Sequence, residues 1–556
     1  MFIDTRQLDR HTEVDTTVCI VGGGVAGLTL ALEMERLGIA TCLLESGGFH
    51  ADDATRDLYR GTDLGLPYRF ADGCRSRFLG GSSNCWGGWC RPLDPWDFHQ
   101  RRWIPHSGWP FGIEELAPYY LRAHAVLQLG PYNYVPQYWV DAIGRADVQR
   151  LPLRSGKVRD TISQFSPPVR FGTAYRRDLQ RAQHVRVYLW ANATHLAATR
   201  PPQQLQHITA RTLCGRQLQV RARYYVLAAG GIENARLLLA ADDVQPGGLG
   251  NEHDLVGRYF MDHPRILSGQ VTWQPGWRRN KLYDIKYHYQ NTSVAVGATR
   301  IAAQLALSEA TQASEGLLNA RVWFSSTFPG EGSAAAEALF RYKQAALSKD
   351  QPGWRPLADA ALMVRHPLDT LGYGMTRLLQ PRWLVREVRF QAIVEPQPDP
   401  DSRVTLSTSE RDALGMRRVQ VDWRLGSNVQ RTFDRTLAII GAELECDGVA
   451  KVTLGPTLEG GPWPSSLAPE GTWHHMGTTR MHRSPRHGVA DAHCRVHGVS
   501  NLYLAGSSLF PTAGANFPTI TLTALALRLA DHLAAALRRP AASATSDHVT
   551  TATATV

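Results

Sequence analysis

The chain has 556 residues, of which 43% are hydrophobic and 20% charged, the balance of a globular protein with a large core and two to four domains. Its net charge of +10 comes mostly from arginines spread along the chain, and no nucleic-acid motif accompanies them. The charge therefore reads as a solvated basic surface or as steering of an anionic substrate, not as DNA or RNA binding. The cysteines Cys19, Cys42, Cys74, Cys85, Cys90, Cys214, Cys446 and Cys494 form no Cys-x-x-Cys pair, so neither a zinc site nor a disulfide framework is expected.

The first residues, MFIDTRQLDRHTEVDT, lack a basic segment followed by an apolar one, so no secretory signal is expected. No window of about 18 uncharged apolar residues appears, so neither is a membrane span. Together with the unpaired cysteines this leads to the expectation of a cytoplasmic protein.

Residues 17–50 read as strand, glycine-rich turn, helix and strand. Val18 to Val21 is a β-rich apolar run, followed by Gly22-x-Gly24-x-x-Gly27. In a dinucleotide-binding βαβ unit these glycines allow the tight turn, the close approach of a pyrophosphate and the close packing of helix on strand. The helix from Val25 to Leu37 aims its first N–H groups at phosphates. The second strand, Ile39 to Leu44, ends at Glu45, placed to accept from a ribose hydroxyl. That carboxylate argues against NADP, whose extra phosphate wants a cation.

Residues 70–110 have loop chemistry, rich in Gly, Trp, Ser and Pro. Within them Gly80-Gly81-Ser82-Ser83 leaves the backbone bare over several residues, which suits a flat ligand. A helix is predicted from Ile113 over 112–128. A strand is predicted from Val220 to Ala229, then a Gly-Gly turn and a helix through Leu239. Alternating patterns at 266–306 and 388–425 predict strands of a half-exposed sheet, with Val404, Leu406, Val419, Val421, Trp423 and Leu425 on one face. Residues 334–385 read as mainly helical, 501–506 as a short strand and 519–538 as a helix. The low-complexity tail after Pro540 reads as disordered.

The segment GCRSRFLGGSSNCWGGWCRPLDPWDF, with Gly80, Gly81, Ser82 and Asn84, resembles the flavin-contacting loop of the glucose–methanol–choline (GMC) oxidoreductases. Some members bond a histidine here covalently to the flavin. The matching position is Cys85, so the resemblance implies either a noncovalent FAD or a cysteinyl link. HHMGTTRM (His474 to Met481) resembles the catalytic segment, in which a histidine precedes Gly-Thr by three residues; His474 has that spacing. The resemblance implies that it takes the hydroxyl proton as hydride leaves for the flavin, a task that suits an imidazole. His475 is then a neighbour facing substrate or supporting His474. NLYLAGSSLFPTAGANFPTITL resembles the last flavin-binding segment, with Gly506 and Ser507 in a turn beside the cofactor and Phe517, Pro518 and Thr519 leading into a helix whose N-terminus faces it. The family's second catalytic residue, Asn or His, usually stands just before the proline. That position is Phe517 here, so either a local bulge delivers Asn516 to the substrate hydroxyl, the favoured reading, or the second partner is absent. AAGGIENARLLL resembles a third nucleotide-proximal segment and places Ala229 at the cofactor. In Asp262-His263-Pro264 the histidine reads as structural.

The resemblance implies an α/β protein, α+β overall. A Rossmann-like FAD-binding domain would be assembled from 1–110, 216–262 and 466–538. A substrate-binding domain with a mainly antiparallel sheet and helices would span 263–465. Residues 111–215 read as mixed, and 539–556 as a disordered tail. The function implied is FAD-dependent oxidation of CH–OH to carbonyl in a sugar, glycoside or related polyhydroxy metabolite. Oxygen, a quinone or a redox protein would take the electrons, and no metal is called for. The alternatives are a non-redox lyase on the same fold, like the hydroxynitrile lyases, and a specialised natural-product alcohol oxidase.

Overall fold

The computed structural model describes residues 1–68, 75–167, 169–201, 203–278, 280–285, 294–328, 331–347, 355–379, 385–463 and 472–539. The strand His11–Val21 begins half exposed and ends with four buried residues, as a parallel strand covered on both faces requires. It pairs in parallel with Thr41–Leu44 on one side and Gln217–Leu227 on the other. Thr41–Leu44 continues to Val185–Leu189 and then to Phe2–Asp4 at the edge. Gln217–Leu227 is shared: its first residues pair antiparallel with Leu205–Arg211, its last three in parallel with Leu502–Leu504. The helix Val25–Arg36 buries Leu28, Leu30, Ala31 and Met34 and packs against the final helix, Thr519–Arg538. Each such buried Leu or Met contributes roughly 1.5–3 kcal/mol.

The Thr519–Arg538 helix is also the one helix among the described residues long and apolar enough to cross a membrane. Here 67% of its apolar window is covered by the fold.

A second sheet runs Arg265–Ser268, Glu387–Val394, Ala320–Thr327, Thr299–Leu307, Val158–Phe165, Trp89–Cys90, antiparallel throughout. The helix Ser427–Cys446 covers it. Its buried Val429, Phe433, Leu437, Ile440 and Leu444 recur every three or four residues and form one face. Sequence reasoning missed this 20-residue helix, although its periodicity is plain.

Residues 111–215 serve both sheets: Val158–Phe165 lies in the antiparallel sheet, and Val185–Leu189, Asn192–Ala198 and Leu205–Arg211 lie in the nucleotide sheet. One placement differs from expectation. Arg403–Arg411 pairs with Arg417–Asp422, which pairs in turn with Gly61–Asp63, and Val404, Val419, Val421 and Trp423 join the core of the nucleotide sheet. Alternation shows that a strand is half buried; it does not show against which core. The helices Ala334–Leu347, Pro356–Arg365 and Pro367–Leu379 agree with the helical reading of 334–385. The expected disordered tail from 540 onward lies outside the described residues.

Candidate active site

The turn after the first strand is built by steric necessity. Gly22 has φ +108°, and a Cβ there would sit 2.6 Å from the Ala228 carbonyl oxygen. A Cβ on Gly27 would lie 1.9 Å from the Gly22 carbonyl oxygen, so only glycine lets the helix start this close to the strand. At Gly24 a Cβ would meet nothing nearer than Gly81 Cα at 3.9 Å, so this position opens into a cavity. The first intrahelical bond runs from Leu28 N to the Gly24 carbonyl, and Val25 and Ala26 line the same cavity. N–H groups of the first turn therefore face it. Glu45 lines it too, its carboxylate accepting from Gly23 N and Gly47 N at 2.8 Å each, while burial pushes its pKa up.

The cavity, about 390 Å³, extends from this turn past Gly81, Ser82, Cys85 and Trp89, past Ala229, Gly506, Ser507, Phe517, Pro518 and Thr519, to His474 and His475. Three predicted contacts are not on its wall: Gly27, which lies against the Gly22 carbonyl, Gly80 and Asn84. Gly80 (φ +102°) donates its N–H to the Gly23 carbonyl at 2.8 Å, and a Cβ would strike Gly172 N. The Asn84 amide turns back to the Leu79 carbonyl at 3.1 Å. Gly80 and Asn84 thus make contacts that shape the loop. The wall also includes Arg75 and Arg77, which sequence reasoning missed. Each pairs with Glu233, at 3.1 and 3.4 Å, and Arg236 holds the same carboxylate from behind. No motif marks these arginines, because their common partner is more than 150 residues away.

At the far end, the His474 backbone N–H donates to Asp262 at 2.8 Å, and its ring Nδ1 lies 2.9 Å from Nδ1 of His263. The Phe517 ring stands edge-on to His474 at 5.3 Å and stacks on Trp89 at 5.0 Å, so the histidine faces an aromatic wall. Burial, then the neighbouring His263, His475 and Arg265, hold the His474 pKa well below the ordinary imidazole value. It is neutral at pH 7, the state a proton acceptor needs. His475 is also neutral, its pKa lowered to about 3 by burial and by Arg75. Its ring packs on Tyr68 and Phe260, and its carbonyl accepts from Ser507 Oγ at 2.6 Å.

Asn516 does not reach this end. Its Oδ1 accepts from Arg321 Nε at 3.0 Å and its Nδ2 donates to the Pro92 carbonyl at 2.7 Å, so both faces of the buried amide are used. Phe517 lines the cavity instead.

The residues fit FAD. The glycine cradle leaves backbone bare at Gly24, Gly230 and Gly506, and at the last two a Cβ would meet no atom within 4 Å. The buried atoms His475 Nε2, Trp473 Nε1 and Arg77 Nε on the cavity's residues have no hydrogen-bond partner among the described residues. Buried polar atoms of this kind call for a ligand that supplies one.

Cys85 opens into the cavity, and its thiol donates to the Ser82 carbonyl at 3.3 Å. The surrounding protein pushes its pKa up, so it is a thiol at neutral pH and a poor nucleophile. The expected outcome is that acid precipitation releases all of the flavin and that Cys85→Ser retains a full complement. Yellow colour remaining in the washed precipitate of the unaltered protein, and absent from that of the variant, would establish the covalent link instead.

Comparison with known proteins agrees with this geometry. Residues 17–260 match the family model described as FAD dependent oxidoreductase, and residues 398–526 match that of GMC oxidoreductase. The fructose dehydrogenase large subunit of Gluconobacter japonicus is 30% identical over 56% of this chain, which spans 47% of that subunit's length. The 6'''-hydroxyparomomycin C oxidase of Streptomyces lividus is 25% identical over 93% of this chain and 92% of its own. A formate oxidase crystal structure shares the fold, with a TM-score of 0.54 at 15% identity over 94% of this chain and 99% of that one. With both family models falling on the segments that build the cavity, the chain carries an FAD-dependent oxidoreductase region over 17–260 and a GMC oxidoreductase region over 398–526, and is an FAD-dependent oxidoreductase.

Proposed function

We propose that the protein oxidises a CH–OH group of a sugar, glycoside or related polyhydroxy compound to a carbonyl, with His474 as the base. The observation that carries this reading is one continuous cavity joining the Gly22–Ala26 turn to a neutral buried imidazole under an aromatic wall. FAD, when bound, supplies the hydride acceptor. The Gly22 turn and the start of the Val25–Arg36 helix would hold the pyrophosphate, Glu45 a ribose hydroxyl, and Gly81, Ser82, Gly506, Ser507, Pro518 and Thr519 the flavin half. His474 accepts the hydroxyl proton as the C–H bond breaks, so the substrate loses one proton and one hydride and leaves as a carbonyl. Trp89 and Phe517 offer apolar faces suited to a sugar ring, and exclude water from the imidazole. The relatives named for fructose and for 6'''-hydroxyparomomycin C support a polyhydroxy substrate.

The test is an anaerobic screen of sugars and glycosides for bleaching of the flavin, followed by reoxidation with oxygen, a quinone or a redox protein. Bleaching by a polyol and not by its deoxy analogue supports the reading. If no alcohol reduces the flavin while a cyanohydrin or similar adduct is cleaved, the lyase reading replaces it.

A further inference from the structure

We infer that His263 is a positioning residue that fixes the ring tautomer of His474, so that His474 presents Nε2 as its basic nitrogen. The inference rests on the reading of His474 as the base and explains what makes it one.

The sequence of donors runs from the protein backbone outward. His263 Nε2 lies 2.7 Å from the Gly514 carbonyl oxygen. A carbonyl only accepts, so that nitrogen carries a proton. A neutral imidazole carries one proton, so His263 Nδ1 is bare. The atom 2.9 Å from it is Nδ1 of His474, which must therefore be the donor. The proton of His474 is thus on Nδ1, and its lone pair is on Nε2.

The opposite assignment needs His263 to be cationic. Its ring is fully buried, and the charged groups that face it, Glu395 and Arg321, oppose one another. Burial lowers its pKa to about 4. Around His474 stand His263, His475 and Arg265, none of them an acid. The nearby Asp262 carboxylate is turned elsewhere: it takes the His474 backbone N–H, the Thr472 hydroxyl and the Tyr68 hydroxyl, at 2.8, 2.8 and 2.7 Å. Adjacent residues 262 and 263 thereby clamp the same histidine twice, one at its backbone and one at its ring.

This device answers a need that the sequence created. The position before Pro518 holds Phe517, which offers no hydrogen bond, and the Asn516 amide is spent on Arg321 and Pro92. Orientation of His474 falls to a residue from another segment. When Nε2 takes the hydroxyl proton, the bond from Nδ1–H to His263 becomes charge-assisted and strengthens, so the same contact also stabilises the protonated ring.

The experiment compares His263→Leu, His263→Gln and His474→Gln. Glutamine can accept from His474 Nδ1–H and donate to the Gly514 carbonyl; leucine can do neither. With [15N]histidine labelling, and His474→Gln to assign the resonance, NMR of the holoenzyme is expected to show the Nδ1–H tautomer of His474 in the unaltered protein. In His263→Leu that preference is lost. The limiting rate of anaerobic flavin reduction is expected to fall about 10- to 100-fold in His263→Leu, less than the full effect of a general base, with KM changed by less than about threefold. His263→Gln is expected to recover most of the rate, and it carries the test with the NMR if His263→Leu does not fold.

An Nε2–H tautomer in the unaltered protein overturns the inference. So does a wild-type rate in His263→Leu, or equal damage from Leu and Gln with the tautomer unchanged. The two readings fail separately. A fast His474→Gln removes His474 as the base, whereas a slow His474→Gln beside a fast His263→Leu removes only the role of His263.

Discussion

Replacing His474 by alanine is expected to slow anaerobic reduction of the flavin by the alcohol on the order of 10²- to 10⁴-fold, the range for loss of a positioned general base. FAD content should stay at the level of the unaltered protein, because the Gly22 turn, the Gly81 loop and the Gly506 turn are built without the imidazole. The effect should appear in kcat more than in KM, since a proton acceptor works in the transition state. Stopped-flow reduction of the holoenzyme measures it. A variant that reduces at the wild-type rate would sink His474 as the base. Raising the pH should recover part of the lost rate, because a pre-formed alkoxide no longer needs the imidazole.

The second large effect concerns stability. Glu395 and Arg101 form a two-pronged ion pair in which both side chains are fully buried. The same carboxylate accepts from Asn319 N at 2.8 Å. Glu395→Leu leaves a buried guanidinium and an unpaired N–H, and is expected to cost about 3–5 kcal/mol. Arg101→Met combined with Glu395→Leu should cost much less, because the uncompensated charge is gone. Denaturant or thermal unfolding of the three proteins decides it, and equal loss in the single and double variants would show that packing, not charge, dominates. Arg101 follows the glycine–tryptophan loop, while Glu395 directly follows the strand Glu387–Val394, so the pair also joins the loop that walls the cavity to the antiparallel sheet.

What is legible in the sequence is local. The Gly22, Gly24 and Gly27 spacing can be read because the strand, the turn and the helix that it joins follow one another directly in the chain, and His474 because it sits beside Gly477-Thr478. Asn516 is misplaced by such reading because sequence gives its neighbours along the chain but not the direction of its amide, which Arg321, 195 positions away, decides. The same holds for His263, which reads as merely structural: its partner is 211 residues distant. Arg75 and Arg77 escape notice for this reason as well. The Ser427–Cys446 helix is a different case, for its apolar repeat is in plain view between two stretches of strand.

The strand Gln217–Leu227 has a consequence for the order in which the protein comes into being. It must accept its last parallel partner, Leu502–Leu504, from the far end of the chain. During synthesis the Gly22 turn leaves the ribosome first, and the wall that includes Gly506 and Thr519 leaves nearly 500 residues later. At about 5–20 residues per second that interval is on the order of half a minute or more. A nascent chain that has not yet reached Gly506 holds half a cradle, so the full cavity is expected to form only once that segment has emerged.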